Sequence, residues 1–296
     1  MVTHITPLSE LYNWRPLWWV GSENRRQDAP PEDKMTDDLT FTNEEVQRLE
    51  ALYTSSDAAE RRQFVRDALH LQPGGDVIAV GCGPGFETAG LAEAVGTDGR
   101  VHGIDTSEAM LDLADRRCSD LPQVTHEQGD AVDLPVADAR FDAAVCVQVI
   151  EYVEEVDAAI AELDRVVRPA GRAAVYATDW DSVVWHSSDR DRMSRVLAAW
   201  EDHCAWPHVA SRLGNHFRDA GFTVVSVEPF PILNTRLTED TFGYYLLDLI
   251  KEYVADHDEI GPEEAEAWAS DLRDIDERSR TFFNQTSYLY RLQAPG

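Results

Sequence analysis

Short apolar runs alternate with segments of helical periodicity through the middle of the chain. Runs of apolar and β-branched residues predict strands, and apolar positions three and four residues apart predict helices. The predicted strands are 77–80, 100–104, 123–127, 141–147 and 172–178, and the predicted helices are 87–95, 107–117 and 154–168. Alternation of this kind is typical of a parallel sheet with helices on both faces. The almost continuous apolar run 143–149 predicts a central strand that is buried on both sides.

The flanking segments predict further elements. They are a helix before the first strand at 57–71, helices at 190–203 and 211–220, a strand at 222–228, helices at 241–254 and 262–275, and a last strand at 281–292. We interpret the chain as four segments. These are an N-terminal arm or cap at 1–63, a core at 64–229, a helical insertion that covers the substrate at 230–280, and the final core strand at 281–296.

A glycine cluster follows the first predicted strand directly, in Val77-Ile-Ala-Val-Gly-Cys-Gly-Pro-Gly-Phe86. A side chain at these glycines would keep a ligand from lying against the backbone. Asp105 ends the second predicted strand, and a carboxylate in that position accepts hydrogen bonds from a ribose diol. The two features together predict a nucleoside-containing ligand at the carboxyl ends of the strands.

The spacing of the glycines distinguishes two classes of cofactor. The dinucleotide fingerprint is G-x-G-x-x-G, in which the third glycine lets helix and strand pack closely. Counted from Gly81 the third position is Phe86, and counted from Gly83 it is Thr88. The glycine spacing therefore argues against a nicotinamide dinucleotide.

The sequence Val80-Gly-Cys-Gly-Pro-Gly85 resembles motif I of the class I S-adenosylmethionine (SAM) dependent methyltransferases. Three further matches follow in the order of that family: Ile104-Asp-Thr-Ser107 with Met110, Gln128-Gly-Asp-Ala131, and Val167-Arg-Pro-Ala-Gly-Arg172. The motifs are most similar to those of the ubiquinone and menaquinone biosynthesis methyltransferases. The resemblance covers roughly residues 64–180. It implies an α/β, Rossmann-like fold with a seven-stranded, mostly parallel sheet, an antiparallel last strand between strands five and six, and a helical cap.

The resemblance also implies SAM as the cofactor and a set of residues that bind it. They are Gly81, Cys82, Gly83, Gly85, Asp105, Thr106, Met110, Asp130, Ala131 and Gln148. Asp105 would bind the ribose, Asp130 and Ala131 the adenine, and Gln148 the methionine part. The alternative interpretations are a helix cap for Asp105, a turn residue for Asp130 and ordinary packing for Gln148. Family members usually have an acid where this chain has Ala79, so Gln148 or a residue of the N-terminal segment is expected to replace it.

The acceptor side is expected at the ends of strands four and five. The candidate substrate-binding residues there are Glu151, Tyr152, Trp180 and Trp185. His186 is the candidate general base, because an unperturbed imidazole titrates near neutral pH. Its alternative interpretation is a surface or structural histidine. No group of residues has the spacing of a metal site, so the sequence predicts no metal.

The N-terminal segment 11–20 is rich in aromatic residues. Three interpretations remain open: packing onto the core, a lid over the acceptor pocket, or an anchor at a membrane surface. The segment lacks the basic face that a membrane-surface helix commonly carries.

The charge balance is strongly acidic, with 55 acidic against 26 basic residues and a formal net charge of −29. Such a surface repels phosphate groups, which argues against a nucleic acid partner. Molar salt shortens the Debye length to about 3 Å and would relieve the self-repulsion, so we hypothesise a salt-rich cytoplasm, as in a halophile. The alternative is an acidic soluble protein without that adaptation. No apolar run long enough for a membrane span and no secretory signal is visible, and the four scattered cysteines suit a reducing cytoplasm.

The sequence as a whole predicts a SAM-dependent methyltransferase that transfers a methyl group to a small, hydrophobic or aromatic acceptor. Two alternatives come from other classes. One is a non-catalytic SAM-binding regulatory protein, and the other is a NAD-dependent oxidoreductase. The sequence carries no prediction of the methylated atom or of the oligomeric state.

Overall fold

One seven-stranded sheet forms the centre of the computed structural model, which describes residues 51–296. The strands are β1 (Asp76–Val80), β2 (Arg100–Asp105), β3 (Val124–Gln128), β4 (Phe141–Val147), β5 (Val167–Trp185), β6 (Thr223–Asn234) and β7 (Phe283–Gln293). Their order across the sheet is β3-β2-β1-β4-β5-β7-β6. Strands β1 to β5 are mutually parallel, and β7 pairs antiparallel with both β5 and β6. The predicted mostly parallel sheet with an antiparallel last strand is confirmed.

Eight α-helices accompany the sheet within the described residues. They are α1 (Ser56–Leu69), α2 (Phe86–Val95), α3 (Glu108–Arg117), α4 (Val156–Val166), α5 (Arg190–Glu201), α6 (Leu213–Asp219), α7 (Phe242–Ala255) and α8 (Gly261–Glu277). Two short 3-10 helices lie at Ile150–Tyr152 and Val209–Ser211. None of the helices within residues 51–296 combines the length and the apolar character needed to cross a bilayer.

Alternate residues of β1 point to two separate hydrophobic clusters. Ile78 and Val80 belong to a cluster that includes residues of α4 and α6. Val77 and Ala79 belong to a cluster on the other face that includes residues of α1 and α2. Since successive side chains of a strand point to opposite faces, this alternation explains why β1 is apolar at every position from 77 to 80.

A third hydrophobic cluster belongs to the helical cover. Residues of α5, α7 and α8 pack together there, around the fully buried Trp268. Trp185 at the end of β5 lies in the same cluster, with its ring centroid 5.7 Å from that of Trp268 and 4.6 Å from that of Phe283. The helix α5 therefore packs with the two insertion helices, although the sequence assigned residues 190–203 to the core.

Strand β5 is much longer than the predicted strand at 172–178. It extends to Trp185 because its second half pairs with the start of β7, through Val184 with Asn284 and Trp185 with Phe283. The register shifts between Asp179 and Val184, which marks an irregularity in the ladder. The extension carries the sheet into the helical cover and joins the two parts of the molecule.

Helix α1 is bonded to the beginning of the helical cover. One carboxylate oxygen of Asp57 accepts hydrogen bonds from the side chain of Asn234 at 2.9 Å and from the backbone N–H of Phe242 at 2.7 Å. This connection holds α1 beside the carboxyl ends of the parallel strands. The aromatic segment 11–20 and its three interpretations lie outside the described residues.

Candidate functional site

In the glycine turn after β1, one of the three glycines borders space that is free of other protein atoms. Gly81, Gly83 and Gly85 all have positive φ angles, of 67°, 52° and 85°. A Cβ atom at Gly81 would lie 2.2 Å from the Val149 side chain, and one at Gly85 would lie 2.7 Å from the Cα atom of Ala114. These two glycines are therefore required by packing. A Cβ atom at Gly83 would approach only the Tyr53 hydroxyl, at 3.7 Å, so the middle glycine borders space that a ligand can use.

Asp105 lies at the end of β2 and faces this turn. Its Oδ2 atom accepts the backbone N–H of Gly83 at 2.8 Å, and its Oδ1 atom accepts the backbone N–H of Ser107 at 3.0 Å. Burial raises the pKa of this carboxyl, and the hydrogen bonds from these two N–H groups oppose that effect. A carboxylate oxygen can accept more than one hydrogen bond, so both oxygens retain capacity for hydroxyl groups of a ribose.

The loop after β3 lies next to Asp105, as the predicted adenine site requires. The backbone N–H of Gly129 donates to the carbonyl oxygen of Asp105 at 3.1 Å. In this loop Ala131 is buried, whereas Asp130 is exposed and accepts the backbone N–H of Val132 at 3.1 Å. That bond is typical of a turn residue, which is the alternative interpretation of Asp130. It leaves the second carboxylate oxygen of Asp130 available. The side chain of Met110, in α3, is buried.

Gln148 follows β4 and has a left-handed backbone conformation, with φ of 54°. Its backbone N–H donates to the carbonyl oxygen of Tyr176 at 2.7 Å, and its side-chain Nε2 donates to Thr178 Oγ1 at 3.1 Å. Its Oε1 atom accepts a hydrogen bond from Nη1 of Arg61 in α1. The amide is thus held from two sides, and Arg61 is brought to the end of β4.

Glu151 is fully buried in the short helix after β4. Its Oε1 atom accepts the backbone N–H of Thr178 at 3.1 Å, whereas its Oε2 atom has no hydrogen-bond partner among the described residues. Burial raises the pKa of Glu151 to about 7, against the opposing effects of backbone hydrogen bonds and of the positive charge of Arg61. A buried carboxyl with one free oxygen and a pKa near neutrality is suited to exchange a proton with a ligand.

Two of the four predicted acceptor residues share a neighbour. The rings of Tyr152 and Trp180 both contact His203, with centroid distances of 5.8 Å and 4.8 Å, and Trp200 stacks on His203 at 3.8 Å. His203 is itself buried and contacts the carbonyl oxygen of Trp200 through Nδ1, so that nitrogen carries the hydrogen. Burial lowers the pKa of His203 to about 3, so the ring is neutral and this aromatic cluster is uncharged.

Trp185 and His186 lie farther along β5. Trp185 is packed in the cluster of the helical cover, and His186 is exposed directly after it. The backbone N–H of His186 donates to the carbonyl oxygen of Phe282 at 2.8 Å, which continues the pairing with β7. The long β5 thus separates these two residues along the chain from Tyr176 and Thr178, which border Gln148 and Glu151. Their roles in substrate binding and catalysis stay predictions.

An acidic cluster with one histidine lies beyond Trp180. Ligand atoms of Asp179, Asp181 and His208 lie within 4.8 Å of one another. His208 also lies 3.3 Å from a carboxylate oxygen of Glu201 and 3.3 Å from one of Asp181. The imidazole thus lies at ion-pair distance from two acids, which accounts for the cluster, and we assign no metal to it.

Two residues that border the cofactor side were not among the sequence predictions. Arg61 and Tyr53 precede β1, and Tyr53 stacks on Phe86 at the start of α2 with 5.3 Å between ring centroids. Arg61 lies four residues before the buried Val65, so helical spacing indicates that it shares the face that packs toward the sheet. That spacing is the signal by which the sequence points to Arg61.

Comparison with known proteins identifies the domain. A family model described as a methyltransferase domain matches residues 78–175, which run from β1 into β5. A demethylmenaquinone methyltransferase of Symbiobacterium thermophilum is 36% identical over 114 residues, covering 38% of this chain and 45% of that protein. This chain belongs to the class I SAM-dependent methyltransferases. SAM is therefore the cofactor of the domain.

Two further likenesses extend over more of this methyltransferase. A 37.1 kDa protein encoded in transposon TN4556 of Streptomyces fradiae is 37% identical over 230 residues, covering 76% of this chain and 67% of that protein. Phosphoethanolamine N-methyltransferase 2 of Haemonchus contortus, solved in complex with SAM, has a TM-score of 0.57 and 16% identity, covering 88% of this chain and 59% of that one. The latter likeness concerns the fold alone. The chain spans about half the length of the demethylmenaquinone methyltransferase that it matches.

The described residues fit SAM. The turn is open at Gly83, where a Cβ atom would have no near neighbour except the Tyr53 hydroxyl. Asp105 presents a buried carboxylate beside this opening. At the other end the buried Nε atom of Arg61 has no hydrogen-bond partner among the described residues. The open backbone at Gly83 leaves room for the adenosyl group, and the carboxylate of Asp105 can accept hydrogen bonds from the ribose hydroxyls. The guanidinium of Arg61 offers a cationic donor to the amino-acid part of SAM.

Proposed function

We propose that this protein transfers a methyl group from SAM to a small, hydrophobic or aromatic acceptor. The acceptor would bind at the carboxyl ends of β4 and β5, beneath α5, α7 and α8. The observation that carries the proposal is the uncharged aromatic cluster in which the rings of Tyr152, Trp180 and Trp200 pack around the neutral His203. The relative named as a demethylmenaquinone methyltransferase supports the same class of acceptor, because a quinone ring is planar and largely apolar.

Several side chains would hold the cofactor in this proposal. The backbone of Gly81 to Gly85 would lie against the adenosyl and methionine parts, Asp105 would bind the ribose, and Thr106 and Met110 would lie beside the adenine. Asp130 and Ala131 would contact the adenine edge, and Gln148 would face the methionine part. When bound, the cofactor supplies an electrophilic methyl group on a sulfonium sulfur. The contribution of the protein is orientation and exclusion of water.

Glu151 would accept the proton that the acceptor loses. Its Oε2 atom is free of hydrogen-bond partners among residues 51–296, and its backbone position is fixed by the short helix after β4. Because Oε1 is held by the backbone N–H of Thr178, the free oxygen has a defined direction. Glu151 thereby takes the role that the sequence suggested for His186, which is exposed at the far end of β5.

The protein is proposed to work in a reducing cytoplasm. All four cysteines are free and buried, so none of them is paired in a disulfide. Burial raises the pKa values of all four thiols, which keeps them protonated and poorly reactive. They would serve as packing residues in the presence of an electrophilic cofactor.

The experiment is a transfer assay with methyl-labelled SAM and two matched groups of acceptors. One group contains hydroquinones and phenols with alkyl chains of increasing length, and the other contains glycine and phosphoethanolamine. We expect label in the apolar products, with KM falling as the chain lengthens. Transfer to the polar group alone would contradict the proposed acceptor class. SAM binding without transfer to any acceptor, including a cell extract, would instead indicate a regulatory SAM-binding protein.

A further inference from the structure

Arg61 reaches the cofactor side of the sheet from helix α1. Its Nη1 atom donates to the side-chain Oε1 of Gln148, and the same amide donates through Nε2 to Thr178 at 3.1 Å. Because a guanidinium can only donate, the bond to Arg61 fixes the amide oxygen as the end of Gln148 that faces it. The guanidinium group is therefore held at the end of β4 by a side chain that is itself fixed.

The same guanidinium has unused hydrogen-bonding capacity. Its Nε atom is buried and has no hydrogen-bond partner among the described residues, and no described carboxylate forms an ion pair with it. A buried N–H without a partner costs free energy, so such groups are usually satisfied when the site is filled.

The electrostatic effects of Arg61 show which groups surround it. Burial raises the pKa of Tyr53 and of Glu87, both beside the glycine turn, and the charge of Arg61 opposes both shifts. Burial also raises the pKa of Glu151, just after β4, and of Tyr176, in the middle of β5, and the same charge again opposes the shifts. The guanidinium thus lies near the turn, the end of β4 and the middle of β5, where the amino-acid part of the cofactor is expected.

The chain lacks the acid that family members usually carry two residues before the first glycine. Ala79 occupies this position, and it is buried between Gly103 of β2 and Val145 of β4. Its methyl group offers nothing to the ammonium group of the methionine part. The methionine part also carries a carboxylate, and a guanidinium is the group best shaped to bind one through two parallel hydrogen bonds.

We propose that Arg61, positioned by Gln148, binds the carboxylate of the methionine part of SAM and so anchors the cofactor in place of an acid at position 79. This inference rests on the proposed function only in that SAM occupies the glycine turn. The anchor comes from the helix before β1. It selects for the cofactor and its demethylated product, S-adenosylhomocysteine, over adenosyl compounds that lack the amino acid.

The test compares two ligands by titration calorimetry. S-adenosylhomocysteine carries the amino acid, whereas 5′-methylthioadenosine keeps the adenosine and the thioether but lacks it. In Arg61→Met, which removes the charge and keeps much of the length, we expect S-adenosylhomocysteine to bind about 10- to 100-fold more weakly, the loss typical of a charge-assisted hydrogen bond. Binding of 5′-methylthioadenosine should change less than twofold. Arg61→Lys should recover part of the lost affinity, because it keeps the charge and loses the planar fork.

Arg66→Met is the matched control, since Arg66 lies on the same helix and hydrogen-bonds Gln63 there. It should leave both affinities within twofold of the wild type. Equal weakening of the two ligands in Arg61→Met would overturn the inference, because the residue would then act on the fold of the site. Unchanged binding of S-adenosylhomocysteine would overturn it too. If the wild type binds neither ligand, the proposed cofactor site fails, and the anchor fails with it.

Discussion

The Oδ2 atom of Asp105 accepts the backbone N–H of Gly83 at 2.8 Å. The other carboxylate oxygen accepts the N–H of Ser107, whose own side chain caps α3 by accepting the N–H of Met110 at 3.3 Å. One buried acid thus connects the end of β2, the glycine turn and the beginning of α3. The residue expected to bind the ribose also holds the shape of the turn, so its contribution to binding has a direct and an indirect part.

The openness of the turn at Gly83 can be tested with a matched pair of variants. Gly83→Ala and Gly74→Ala both place an alanine at positive φ, at 52° and 84°, and neither new Cβ atom has a close neighbour. Each should destabilise the fold by about 1–2 kcal/mol, the cost of a left-handed conformation for alanine. Only Gly83→Ala should weaken binding of S-adenosylhomocysteine, by tenfold or more, because its methyl group enters the ligand space. Equal affinities of the two variants in calorimetry would contradict the assignment of that space.

The buried carboxyl of Glu151 should make stability depend on pH. Burial raises its pKa from 4.5 to about 7, so the folded protein retains a proton that the unfolded chain releases between these values. The free energy of unfolding should therefore be highest below about pH 4.5, as far as this group contributes, and fall as pH rises through 7. The full loss is on the order of 3 kcal/mol.

Glu151→Gln removes this titration and should show no such fall between pH 5 and pH 8 in urea unfolding experiments. Glu154→Gln, at an exposed position three residues later, is the matched control and should keep the wild-type pH dependence. If Glu151→Gln and the wild type lose the same stability over this range, the raised pKa of Glu151 is wrong.

The proposed role of Glu151 in proton transfer predicts a separate pH profile. Only the ionised carboxylate can accept a proton, so kcat/KM for a hydroxyl acceptor should rise with pH and level off above about pH 7. Glu151→Gln should lower kcat by about 10²- to 10⁴-fold, the usual contribution of a general base. His186→Gln should retain the wild-type rate and profile. The reverse outcome, with loss of activity only in the histidine variant, would restore His186 as the base.

The acidic surface predicts stabilisation by salt through screening. With a net charge of −29, self-repulsion should weaken as the Debye length falls from about 10 Å at 0.1 M to about 3 Å at 1 M KCl. We expect Tm to rise steeply below about 0.5 M and to level off near 1 M, where screening is nearly complete. A Tm that is constant, or that rises in proportion to salt over the whole range, would count against a screening mechanism.

Local sequence patterns were sufficient to predict the central strands of the fold. The strands from β1 to β4 lie within one or two residues of their predicted bounds. Strands β1 and β4 are short apolar runs, whereas β3 is mostly polar. Gly81, Gly83 and Asp105 were also recognisable, since the turn and the acid each depend on a few adjacent residues. The antiparallel position of β7 came from the family resemblance, because a strand at the end of the chain carries no mark of its neighbours.

Long-range relations could not be predicted in the same way. Arg61 and Gln148 are separated by 87 residues, and no periodicity connects them. The extension of β5 to Trp185 depends on pairing with Phe283, almost 100 residues later, which explains why the sequence placed the strand end too early. His186 was the candidate base because it is a histidine close to the end of a predicted strand, whereas the structure places it, exposed, at the end of the extension that this pairing forms.

The central claim is that the glycine turn and Asp105 bind an adenosyl sulfonium cofactor, and calorimetric titration of the purified protein with S-adenosylhomocysteine and with NADH tests it most directly. The account predicts one site for S-adenosylhomocysteine and no heat with NADH. It also predicts at least tenfold weaker binding in Asp105→Asn, with Asp112→Asn on the exposed side of α3 unchanged. Binding of NADH without binding of S-adenosylhomocysteine, or an Asp105→Asn variant that binds as tightly as the wild type, would contradict it.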